Sequence, residues 1–243
     1  MIFLFKKPKL VLDFFTYSEP AYHANKIDYA HSFYPQWWKD TPKTYTNDFY
    51  EASTIKKCRA VIDSYQYGAI IPMWSDMALD IKNKTYKWQF ADFKTEAHAH
   101  SAEQWKTYAD PKNYAHLKII SPWSVKCKHN IKFQFLSPFW SHPIDSIYRV
   151  LPGIVDYKYN YGTHINLLIN IQNDYRGMIP AATPMAHIIP LSEKELIIKN
   201  HLVSIEEYKN NFWDPYTFTD AYKHAKNNID KQEKCPFNFL RGK

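Results

Sequence analysis

The chain has 243 residues, enough to bury a sizeable core without disulfide or metal staples. Hydrophobic residues make up 45% and aromatics 17%, but only five glycines occur, which excludes a Gly-rich loop wrapped around a pyrophosphate. Lys and Arg outnumber Asp and Glu by 31 to 24, a net +7 that fits either an anionic partner or a solvated basic surface.

Along the chain, residues 1–54 are aromatic and Pro-punctuated, with a short helix expected over 28–38 and pinned by Trp37 and Trp38. The opening Met1 to Phe5 places its apolar part ahead of Lys6, Lys7 and Lys9, the reverse of a signal peptide. Residues 55–67 read as one helix. Thr54 serves as N-cap, Ile55, Cys58, Val61, Ile62 and Tyr65 share a face, and Gly68 is the stop. The period then changes to two. Residues 79–81 and 86–90 alternate across Asn83-Lys84 as a hairpin, and further strands are expected over 116–120, 131–136, 147–151, 164–171, 185–189 and 196–202. Residues 102–108 look helical, and 217–234 read as a polar helix. The expected fold is a single, mainly β domain with flanking helices. It has an N-terminal layer over 1–70, a β-rich core over 71–203 and a helical tail over 204–243.

The stretch 121–191 carries three motifs in order. Pro122-Trp123-Ser124 comes first, then Gly153-Ile154-Val155-Asp156-Tyr157-Lys158-Tyr159, then, after a strand, Met185-Ala186-His187-Ile188-Ile189. This order resembles the central part of the dUTPase and dCTP deaminase superfamily. The resemblance implies a jelly-roll (β-clip) core, a trimer with sites between subunits, and a nucleotide or other small anionic ligand. It makes Asp156 the residue that orients water and Tyr159 the ring that stacks on the sugar, an acid–base role a carboxylate suits. Gly153 is expected to allow the sharp turn. Ser124, Lys126 and Trp123 would line the ligand, with Trp123 standing where the family has a phosphate-binding Arg. Asp76 or Asp80 would replace the metal-binding Asp. The plainer reading of Asp156 is a turn cap. The whole chain also resembles a family of uncharacterised proteins of bacteria and tailed phages, through Tyr34-Pro35-Gln36-Trp37-Trp38, Ile70-Ile71-Pro72-Met73-Trp74 and Leu151-Pro152-Gly153-Ile154-Val155-Asp156. That resemblance implies a phage-type protein, a virion structural or host-interaction role being one alternative.

Other constellations compete. His98 and His100 fall on one side of a strand, with Glu103 following, and His187 or His164 as a further imidazole. That set matches a divalent-metal, cupin-like oxygenase, against a surface-loop reading. Lys84, Tyr86, Lys87 and Trp88 interleave charge and rings as single-stranded nucleic-acid platforms do, but a hairpin with one wet face is preferred. Cys58, Cys127 and Cys235 form no CxxC pair or disulfide framework, which fits a reducing cytoplasm. Cys127 lies between Lys126 and Lys128, a setting that would lower a thiol pKa. No stretch is long enough to span a membrane.

Overall fold

The computed structural model describes residues 8–143 and 145–212, with 223, 226, 227 and 229 beyond them. In chain order the elements are β1 (Lys9–Thr16), α1 (Glu19–Ala24), β2 (Asp28–Tyr29), α2 (Gln36–Asp40), β3 (Thr44–Thr46), β4 (Glu51–Ser53), α3 (Arg59–Gln66), β5 (Ala69–Pro72), β6 (Met77–Lys82) and β7 (Thr85–Phe90). Then follow β8 (Ala97–Ala99), β9 (Tyr114–Ile119), β10 (Trp123–Lys126), β11 (Phe133–Leu136), β12 (Tyr148–Val150), β13 (Gly153–Val155), β14 (Ile165–Asn170), β15 (Tyr175–Ile179), β16 (Pro184–Pro190), β17 (Glu195–Leu202) and α4 (Ile205–Phe212).

The strands form sheets of order β10-β1-β17, β13-β11-β16-β5-β2, β12-β14-β9-β8 and β15-β6-β7, plus the β3-β4 hairpin. All pairings are antiparallel except β1 with β17, whose ends lie almost the whole chain apart. Alternation fixes which face is buried. In β1, Leu10, Leu12 and Phe14 are fully buried while Val11, Asp13 and Phe15 face outward. The same alternation buries Met77, Leu79 and Ile81 of β6, Ala115, Leu117 and Ile119 of β9, and Ile165, Leu167 and Ile169 of β14. These inward rows, with Phe133, Ile188 and Trp123, form one continuous apolar cluster drawn from all four larger sheets. A smaller cluster of Trp38, Val61 and Tyr65 ties α2 to α3. Among the described residues no helix is long and apolar enough to cross a membrane.

Local chemistry explains the turns. The β6–β7 hairpin closes on Asn83 (φ 51°) and Lys84 (φ 60°), two left-handed residues that match the right-handed twist of the strands. Gly68 has φ +86°, and a Cβ there would lie 2.2 Å from the Ile188 carbonyl oxygen, so only glycine fits between α3 and β16.

The structure corrects several expectations. Residues 28–38 are not one helix. Asp28 and Tyr29 pair with Ile70 and Ala69, residues 30–33 make a 3₁₀ turn, and α2 starts only after Pro35. Trp38 is buried against Tyr34 and Tyr65, but Trp37 stays 38% exposed. The 55–67 helix is broken at Cys58, which is extended. Thr54 caps a 3₁₀ turn rather than α3. Residues 102–104 form only a 3₁₀ turn. Gly153 makes no turn. It pairs with Phe135 inside β13, and the chain turns instead at Asp156. The helix expected over 217–234 lies outside the described residues, apart from Lys223, Lys226, Asn227 and Ile229.

Candidate functional site

The segment 156–162 runs along the edge of β10. Cys127 N–H donates to the Tyr157 carbonyl (3.2 Å), Val125 N–H donates to the Tyr161 carbonyl (2.9 Å), and Ser124 bridges to Gly162. The structure therefore sets the Asp156 turn alongside the strand that carries Ser124 and Lys126. Strand alternation then sorts them. Trp123 and Val125 point into the core, Trp123 with no exposure and with its Nε1 unpartnered. Trp123 therefore lines no surface site, contrary to its expected ligand role. Ser124 and Lys126 point the other way, toward α4.

Lys126 is the unusual residue here. Its ammonium lies 4.5 Å from the Phe212 ring centroid, 5.6 Å from Tyr161 and 6.0 Å from Phe15. Burial lowers its pKa. Asp13, its register partner on β1, is taken by His201 at 2.9 Å. Among the described residues no carboxylate reaches Lys126 within ion-pair distance. Beside it, Ser124 Oγ and the Tyr208 hydroxyl are 2.7 Å apart, and burial pushes the Tyr208 pKa up to about 12. Phe15 stacks on His201 and touches Phe212, while Tyr208 meets Tyr17 and Phe212. The result is a group of flat rings around one partly buried cation and a hydroxyl pair.

The expected catalytic pair is arranged differently. Asp156 is buried. Its Oδ1 accepts the Lys158 N–H (3.1 Å), and its carbonyl accepts the Tyr159 and Asn160 N–H groups. These bonds make it the cap of its own turn. Tyr159 is 8% exposed, with the Lys158 ammonium 5.2 Å from its ring centroid, so its face is covered. The Cys127 thiol is pushed up, not down. Burial comes first, then the charges of Asp156 and Asp13, so it is a poor nucleophile.

The remaining residues lie elsewhere. Asp76 accepts the Ala181 N–H at 2.7 Å, anchoring the loop after β15. His98 is exposed, 3.8 Å from Glu96. His100 is bonded to Gln104 and stacked on His116, and Glu103 is paired with Lys106. His187 sits in β16, a different sheet, with Nε2 on the Tyr67 carbonyl at 2.7 Å. Among the described residues no group of three or more His, Cys, Asp or Glu side chains is placed to hold a metal ion.

No protein-family model matches the chain, and no curated protein matches it. Sequence reasoning missed Phe15, Tyr161, Tyr208 and Phe212. They come from three separate segments, and only the β1 register and the seating of α4 bring them onto Lys126. The one signal present was the outward position of Phe15 in the alternating run 10–16.

Proposed function

We propose that the protein is a non-catalytic binder of a small anionic, ring-bearing ligand, of which a nucleotide is the leading class, and that Lys126 is the anchoring cation. The single observation that carries this is the Lys126 ammonium, partly buried among aromatic rings and, among the described residues, without a counter-ion. Ring contacts return about 0.5–2 kcal/mol to such a cation, whereas an anion would add a charge-assisted bond of about 1.5–3 kcal/mol. Phe15, Tyr161 and Phe212 supply flat surfaces for a base, and the Ser124–Tyr208 pair supplies hydroxyls.

The same reading treats the chain as a phage-type descendant of the dUTPase-like jelly roll. What supports it is that seven strands, β10 to β16, lie within 121–191, alongside the motif order of that superfamily. Catalysis is not part of the proposal, because Asp156 is engaged by its own turn.

A thermal-shift panel of nucleoside mono-, di- and triphosphates, run alongside a pyrophosphate-release assay, tests it. Stabilisation that is reduced in Lys126→Met, with no turnover, is the expected result. No shift with any nucleotide, or a shift that the substitution leaves undiminished, would refute it.

A second reading has its own observation. Trp37, Ile55, Phe139 and Trp140 surround a hollow of about 290 Å³ with His142, and Trp37, Ile55 and Phe139 are exposed. Such a patch suits a virion or host-interaction protein. Mass spectrometry of purified particles decides it, since absence from the particle removes the structural version.

A further inference from the structure

The outward face of the β12-β14-β9-β8 sheet has a different character from the rest of the surface. Register places His98 opposite Lys118 and Lys118 opposite Asn166, one row across three strands. In the next row, His100 donates its N–H to the His116 carbonyl, and the two rings stack with centroids 4.3 Å apart. Leu168 lies opposite His116, and Arg149 opposite Leu168. His164 stands two residues before Asn166, at the mouth of β14. The neighbours in each strand, Leu117, Ile119, Ile165 and Leu167, are fully buried, so the alternate residues form the outer surface.

The charge on this face is one-sided. Lys118 makes no ion pair or hydrogen bond among the described residues. The acid beside it is Glu96, 3.8 Å from His98 with both side chains mostly exposed, while Glu103 is drawn off to Lys106. Burial, then the nearby charges of Lys118 and His98, hold the His164 pKa down to about 4.

Donors are also left over. The His116 Nε2–Asn166 Oδ1 contact (3.2 Å) leaves Asn166 Nδ2 without a partner among the described residues. His164 Nδ1 accepts the Ser121 N–H (3.2 Å), so its ring proton sits on Nε2. Gly162 keeps that edge open, since a Cβ there would stand 3.3 Å from Nε2.

We infer that this face is an oxyanion site, at which Lys118, His98, Asn166 Nδ2 and His164 Nε2–H receive a phosphate group. An ammonium, a neutral amide and imidazole N–H donors on adjacent strands match the acceptor oxygens of phosphate. The site belongs to a different sheet from Lys126 and stands without the reading above. The same chemistry fits free phosphate or the phosphate of an ester.

Isothermal titration of the full chain with inorganic phosphate, near neutral pH and against a chloride control of equal ionic strength, tests it. Parallel titrations use pyrophosphate and a deoxynucleoside monophosphate. Phosphate is expected to bind, and Lys118→Met to weaken it at least about tenfold. His98→Gln, at a 63% exposed side chain, should weaken it in the same direction without disturbing the fold, and Lys126→Met should leave it unchanged. If the nucleotide binds more tightly than phosphate and still depends on Lys118, the phosphate belongs to an ester. If inorganic phosphate binds as well as the ester, the ligand is the free ion. Either result supports the site. Heat no greater than the chloride control, or binding that survives both Lys118→Met and His98→Gln, overturns it. Binding lost only in Lys126→Met also overturns it and assigns the anion to the other sheet.

Discussion

Acid should unfold this protein through its histidines, and His164 gives the sharpest case. The His164 ring is mostly buried, and its pKa falls from 6.5 to about 4, through burial first and then repulsion from Lys118 and His98. The folded value lies below the unfolded one, so the unfolded chain binds the proton more readily. The stabilisation is therefore complete above about pH 6.5 and is lost as pH falls toward about 4. The full difference is worth about 3 kcal/mol, and about 2 kcal/mol of it is gone at about pH 5. His116, His142 and His187 shift in the same direction, burial being the largest cause in each, so they steepen the loss. Urea unfolding at a series of pH values measures the slope. His164→Asn offers an amide oxygen to the Ser121 N–H but cannot titrate. The variant starts less stable because the ring is gone, but its loss between neutral pH and about pH 5 should be about 2 kcal/mol smaller than wild type, or about 4–8 °C in Tm. An unchanged slope would show that His164 is charged in the folded protein and would refute the reasoning.

Gly68→Ala should cost more than about 2 kcal/mol, because φ +86° is unfavourable for alanine and its methyl would meet the Ile188 carbonyl; a cost below about 1 kcal/mol in chemical denaturation would contradict the geometry. Tyr157 is fully buried with an unpartnered hydroxyl, so Tyr157→Phe should be neutral or stabilising by up to about 1 kcal/mol. A marked loss in the midpoint would mean that the hydroxyl has a partner. Phe14→Ala, in the middle strand of the β10-β1-β17 sheet, should destabilise by about 3–5 kcal/mol, read in the same denaturation experiment.

How far the sequence speaks depends on the range of the forces involved. Period-two runs such as Asn166-Leu167-Leu168-Ile169 and the Asn83-Lys84 turn are local, and the strands and hairpin fall within a residue or two of where alternation places them. β1 was hidden within an aromatic N-terminal stretch, although Leu10, Leu12 and Phe14 alternate. What makes it a central strand is its parallel partner β17, and no local signal announces a pairing so distant. Asp28 and Tyr29 likewise look helical until Ile70 and Ala69 offer an open edge. At the site, the resemblance grouped Ser124, Lys126 and Asp156, and the structure sets the Asp156 turn along the edge of β10. The direction of each side chain did not. One step along β10 separates Trp123 in the core from Ser124 beneath α4, and only the sheet register decides between them. The histidines were visible as an HxH pair. Their setting around Lys118 was not, because it depends on three strands meeting in register.

The Lys126 ammonium itself reports most directly on the proposed function. Its Cε resonance, followed by NMR across an alkaline titration, should show a pKa below that of ordinary lysines in the free protein and a return upward when the nucleotide that gives the largest thermal shift is added. A resonance that titrates like any surface lysine, or that is unmoved at saturating ligand, would contradict the claim that this cation awaits an anion.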